Sequence, residues 1–180
     1  MLFLERLTTE YVPLEDRIRI TGEISKNRTV FLWLTQRMLF LLLPNLFNWL
    51  EKQGVTRRKS KNSDSPLLSY VEQTFAQEAA VAGLEVQDQT PVKGHNAEDN
   101  LLVHSIDITT GETAIQIGFK SNTIQEELRL INLTMECDPL RQWLHIVYTQ
   151  SRDGGWPLHN WPEWMHENED KQFRNKGAAH

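Results

Sequence analysis

One cysteine and six histidines are the side chains of this chain best suited to nucleophilic or acid–base work. Cys137 stands just ahead of Asp138-Pro139, a helix-start signal, and a helix N-terminus favours a thiolate. That makes Cys137 the first candidate nucleophile. His145 follows eight residues on in the same expected helix. The separation is about 12 Å along the axis, too long for a direct nucleophile–base pair. Alternation places His104 on the apolar side of an expected strand. There an imidazole serves as a base, or more often as a hydrogen-bonded core residue. His159, Glu163, His166 and Glu167 would suit zinc only on a regular helix, and Pro162 disturbs the spacing. His-Glu-x-x-His, Gly-x-Gly-x-x-Gly, the P-loop and the Gly-x-Ser-x-Gly elbow are all absent. The expectation is no metal, no cofactor and no common hydrolase or nucleotide chemistry. A small enzyme of unfamiliar type using Cys137 or a histidine stays as an alternative, as does a small-ligand-binding domain.

Binding chemistry is better represented. Of six tryptophans, three crowd into Trp156-Pro157-Leu158-His159-Asn160-Trp161-Pro162-Glu163-Trp164. Two precede proline, which disfavours a regular helix. Bulky aromatics outside regular structure need a surface, either the chain's own or a partner's. Trp156, Trp161 and Trp164 are therefore candidate partner contacts, with Phe40 and Trp49 from an apolar helix. On that reading, replacing Trp161 and Trp164 by alanine abolishes association and leaves the fold intact.

These residues need elements to hold them. Residues 2–12 read as a first strand, ending near Pro13. Asp16–Ile24 alternates cleanly, with Ile18, Ile20 and Ile24 on one face. Val30–Leu34 has no polar face and reads as a central strand covered on both sides. Thr35 offers an N-cap, and a helix from Gln36 to Gln53 carries Leu39, Leu42, Leu43, Leu46, Phe47 and Leu50 at helical spacing. Met38, Phe40, Leu41 and Trp49 widen its apolar side past half the circumference. Pro44 should kink or restart it. Ser65-Pro66 starts a second helix, ending at Gly83, with Leu68, Val71, Phe75 and Ala79 as its inward stripe. Leu101–Ile108 reads as one strand, with Leu102, His104, Ile106 and Ile108 on one side. Thr109–Glu112 forms a hairpin turn, and Thr113–Lys120 returns. A strand over 126–134 switches its apolar side at Leu130/Ile131, which implies a bulge. Asp138-Pro139 opens a last helix with Leu140, Trp143, Leu144, Val147 and Tyr148 inward, ended by Gly154-Gly155.

The fold expected is α+β: an antiparallel sheet of about six strands in two βββα halves, with helices packed on one face. The halves read alike, for Leu34-Thr35 matches Leu133-Thr134 and Trp49-Leu50 matches Trp143-Leu144. At 180 residues and 39% hydrophobic, the chain suits a single domain over 1–166. Residues 55–65 and 85–100 read as flexible loops and 167–180 as a disordered polar tail. A net charge of −5 gives no bulk attraction to nucleic acid. The basic run Arg57-Arg58-Lys59-Ser60-Lys61 lacks interleaved aromatics to stack bases. Gln36, Arg37, Pro44, Asn45 and Asn48 argue against a membrane span over 29–50. The first residues lack the pattern of a secretory signal. A lone cysteine forms no intrachain disulfide, so a cytoplasmic protein is expected. The leading functional expectation is a non-catalytic interaction module or accessory subunit, with a protein partner or self-association as a homodimer.

Overall fold

The period-two alternation of Arg17–Ser25 builds β3, with Ile18 and Ile20 fully buried on one face. In the computed structural model, residues 2–25, 28–56, 66–86, 90–94, 97–122 and 127–166 are described. β3 lies between β2 (Arg6–Val12) and β4 (Arg28–Leu34), both antiparallel to it. β4 bears Val30, Leu32 and Leu34 inward. β5 (Ala97–Leu102) adds parallel to β4, giving a four-stranded sheet in the order β2-β3-β4-β5. The second sheet is built from β6 (Ser105–Thr110), β7 (Ala114–Asn122) and β8 (Leu128–Glu136), joined antiparallel. The two-residue β1 (Leu2–Phe3) pairs parallel to β8, so the order is β1-β8-β7-β6.

The molecule is thus α+β with two mixed four-stranded sheets, not the expected single antiparallel sheet of about six strands. Each βββ unit is followed by a helix, but each also sends a leading strand into the other sheet. Two expected strands are cut by these crossings. Residues 2–12 divide at Leu4–Glu5, where the Leu4 amide donates to the Asn132 carbonyl (2.8 Å) and the Glu5 amide to Glu23 (2.8 Å). Residues 101–108 divide at Val103–His104, where the Val103 amide donates to Trp33 (3.0 Å) and His104 to Lys120 (3.0 Å). Both crossings obey one pattern: one amide bonds to one sheet, the next to the other, and the hinge residue, Leu4 or Val103, is buried. The stretch 97–100, expected as loop, belongs to β5. The register between β7 and β8 is unbroken, so no bulge falls at Leu130. Irregular register falls instead at Glu23/Ser25 and Thr29/Val30.

The helices tie the sheets together. α1 (Gln36–Thr56) leaves β4, starts with Thr35 Oγ1 accepting the Met38 amide at 3.3 Å, and runs through Pro44 without a restart. Pro44 faces solvent, so its missing amide and its ring stay outside the core. Near the far end, Trp49 Nε1 donates to the Gly111 carbonyl in the β6–β7 turn (3.0 Å). α3 (Cys137–Asp153) leaves β8 and reaches β2. There Trp143 Nε1 donates to Thr9 Oγ1 (3.0 Å), and Gln150 Oε1 accepts the Tyr11 amide (2.6 Å). α3 begins one residue before Asp138, which therefore lies in the first turn and is not the cap. α2 (Pro66–Val86) lies against both other helices and continues past Gly83. The inner faces of both sheets, α1, α3 and the tail tryptophans form one hydrophobic cluster. The outer face of the first sheet is crossed by residues 90–94. The Val92 amide donates to Thr8 Oγ1 (2.8 Å), and Gly94 lies against the Phe31 ring, leaving no room for a Cβ. Ser65, the basic run 57–61 and the tail 167–180 lie outside the described residues.

Asp16 anchors the end of the α3 connection. It sits at φ +48°, a region aspartate tolerates better than most residues. Its carboxylate accepts from Tyr11 Oη (2.9 Å) and Trp156 Nε1 (2.8 Å). These two bonds hold its pKa below the ordinary 3.8, the Trp156 bond contributing most. A depressed carboxylate pKa gives stability that is complete above the unfolded value and lost as pH falls through the folded one. Thermal unfolding of Asp16→Asn, which keeps the acceptor oxygen but not the charge, should therefore show a weaker acid dependence below about pH 4. An acid limb identical to that of the parent chain would contradict this role.

Candidate interaction surfaces

The candidate catalytic residues are not brought together: Cys137 and His145 share α3 two turns apart, and His104 lies at the crossing between β5 and β6. Cys137 is the half-buried first residue of α3, and His145 follows two turns on. His104 is exposed, not on an apolar face, because the chain changes sheets at that residue. Its Nε2 lies 3.3 Å from Asn122 Oδ1. His159 packs edge-on to Phe40 and His166 tilts against Tyr148. Among the described residues, no group of three His, Cys, Asp or Glu is placed to hold a metal ion.

The tail folds back over α1 and α3. Gly155, at φ +70°, turns the chain after α3, and the Trp156 amide donates to the Ser151 carbonyl (2.9 Å). Trp156 then stands edge-on to Tyr11 at 5.8 Å. Trp161 packs between Phe47 (5.7 Å) and Tyr148 (5.2 Å), and Trp164 meets Phe47 at 5.6 Å. Such T-shaped pairs add about 0.5–1.5 kcal/mol beyond burial. Tyr148 is buried enough that its phenol pKa is pushed up. Trp49, Trp156, Trp161 and Trp164 are all covered by the chain itself, while Phe40 is half-buried.

α2 packs the other way round from the sequence expectation. Gln73, Thr74 and Gln77 are buried, Gln77 completely. Val71 (39% exposed), Phe75 (67%), Ala79 and Ala82 face solvent. The side chain of Leu68 lies outside what is described. The cause is α3: Gln77 Nε2 donates to the Arg141 carbonyl (3.1 Å), and Gln142 Nε2 to the Ala80 carbonyl (3.0 Å). Arg141 Nη2 donates to Gln73 Oε1, and its guanidinium lies 5.4 Å over the Trp164 ring. Arg141 is 4% exposed, and its Nη1 has no hydrogen-bond partner among the described residues. Burial lowers its pKa, while Cys137 and Asp138, one turn back, act in the opposite direction. Sequence reasoning missed this cluster. The available signal was chemical: α2 holds an uncharged polar strip, Gln73, Thr74 and Gln77, and amides are easier to bury than charges.

A second open feature lies at the other end of α1. Arg37, Met38, Leu41, Leu42 and Asn45 face His104, Ser105, Ile106 and Ile108 across a cleft of about 320 Å³. Among the described residues, no carboxylate lines it. Leu41, at its rim, is 59% exposed.

No family model, curated protein or solved structure matches this chain. Among the described residues, no helix is long and apolar enough to cross a membrane.

Proposed function

We propose that this chain is a non-catalytic interaction module that docks an amphipathic helix of a partner protein along α2. One observation carries the reading: α2 buries its amides and presents Val71, Phe75, Ala79 and Ala82 to solvent. These residues recur at i, i+4, i+8 and i+11, which is a stripe about three turns long. An outward stripe of that spacing fits helix-in-groove recognition. α2 carries three glutamates, Glu72, Glu78 and Glu85, and neither lysine nor arginine. A partner helix with basic flanks is therefore complementary. A second copy of this chain brings the same glutamates and another −5 charges, which disfavours self-pairing. The lone Cys137 suits a reducing compartment such as the cytoplasm.

A photo-crosslinking amino acid at position 75, activated in native-cell lysate, tests the reading. The expected product joins position 75 to one basic-flanked amphipathic helix of another protein. Crosslinks confined to a second copy of this chain, or spread over unrelated surfaces, would overturn it. With the crosslinker moved to the exposed position 79, Phe75→Glu should abolish the crosslink to that partner while changing the unfolding free energy by less than about 0.5 kcal/mol. Urea denaturation provides the check: a larger loss would place Phe75 in the core.

A further inference from the structure

We infer that the cleft between α1 and β6 binds an extended acidic peptide segment of a partner protein by strand addition. α2 plays no part in this site, so the inference stands apart from the helix-docking reading.

The first observation is the backbone. β6 is the last strand of its sheet among the described residues, with β7 its one neighbour there. The Gly111 amide donates to the Ala114 carbonyl (2.8 Å), in register with Thr109↔Gln116, Asp107↔Gly118 and Ser105↔Lys120. In an antiparallel ladder these pairs face each other, so the amides and carbonyls of Ile106 and Ile108 point towards the free edge. They are positioned to receive one further strand.

The second observation is the cleft, which is lined by the same strand. Ile106 and Ile108 form one apolar wall, and Met38, Leu41 and Leu42 form the other. A strand added to β6 directs alternate side chains into this space. About 320 Å³ accommodates more than one aliphatic side chain. In strand addition, main-chain bonds supply affinity and such cavities supply side-chain preference.

The third observation is charge. Arg37 lies in the first turn of α1, where the helix dipole is positive. Arg37, His104, Asn45 and Ser105 are the polar groups of the lining. In a chain of net charge −5, this end of the cleft is locally basic, and an Asp or Glu of the incoming strand fits it. A free small acid would satisfy Arg37 but leave the Ile106 and Ile108 backbone groups unused, so the extended peptide fits more of the site.

A displayed library of random decapeptides, panned on the chain with an Arg37→Glu/Leu41→Asp variant as counter-selection, tests the inference. Both side chains are exposed, and circular dichroism verifies that the variant stays folded. The expected winners alternate apolar residues and carry an Asp or Glu. A synthetic winner should bind the variant at least about tenfold more weakly, a difference of about 1.4 kcal/mol. N-methylation of its alternate backbone nitrogens should abolish binding in one of the two phases. Hydrogen exchange at the Ile106 and Ile108 amides should slow. Failure to enrich any peptide over the variant would overturn the inference. So would a winner that tolerates N-methylation in both phases, binds the variant equally well, or protects α2 in place of β6.

Discussion

Trp161→Ala should destabilise the chain by about 3–5 kcal/mol, the usual cost of deleting a buried large aromatic. At this chain length that corresponds to a Tm lower by about 10 °C. The ring packs between Phe47 of α1 and Tyr148 of α3, so its removal opens a void where two helices and the tail meet. Its Nε1 has no hydrogen-bond partner among the described residues. Trp161→Phe therefore loses area but no bond, and should cost much less. Urea denaturation followed by far-ultraviolet circular dichroism measures both variants. Equal midpoints for Trp161→Ala and the parent would mean that the ring contributes no packing. The same experiment bears on the Trp161/Trp164 double alanine variant. With both rings covered by the chain, loss of association in that variant is informative only if the fold survives, and the burial makes survival the demanding condition.

The second large effect concerns Arg141. A buried guanidinium with a free N–H is costly to desolvate, yet its aliphatic stem and planar head fill space beside Trp164 and Gln73. Charge and volume can be separated by substitution. Arg141→Met retains much of the volume, removes the charge and leaves Gln73 Oε1 without its donor. Its stability should stay within about 1 kcal/mol of the parent, because desolvation relief offsets the lost bond. Arg141→Ala removes the volume as well and should fall about 3 kcal/mol below the methionine variant. Denaturant midpoints at neutral pH decide this. If methionine proves as damaging as alanine, the guanidinium charge itself holds α2 in place.

Much of the fold was legible where local chemistry decides it. Thr35 caps α1 as its residue type suggests, Gly154-Gly155 ends α3, and the β6–β7 hairpin turns at Gly111. The strand crossings were not legible. Alternation reports which way a side chain points, and Leu4 and Val103 remain buried while the backbone passes from one sheet to the other. The expected strands over 2–12 and 101–108 therefore each ran across a crossing. The orientation of α2 was not legible for a different reason. An apolar stripe is normally the buried one, and only the presence of amide partners on α3 makes the Gln73–Gln77 side the better interior. That inversion is also what exposed the candidate surface. The tryptophans stood out in the sequence by size, whereas the α1–β6 cleft depends on a helix and an edge strand that are distant in sequence.

The exchanged strands also set an order of assembly. Leu2 pairs with Ile131, so β1 waits until β8 has been made. Closing that loop costs about 3 kcal/mol more entropy than closing the β6–β7 hairpin, and such distant pairings form late and slowly. The β2-β3-β4 meander can form as soon as it is made, but β5 is needed to complete its sheet, and α3 to cover β2. During synthesis the β4 edge and the apolar side of α1 therefore stay open until the second half arrives. A nascent chain stalled between the halves would be prone to pair its open strand edge with another copy. The interlock that unites the two sheets in the finished molecule is, before completion, its most exposed stage.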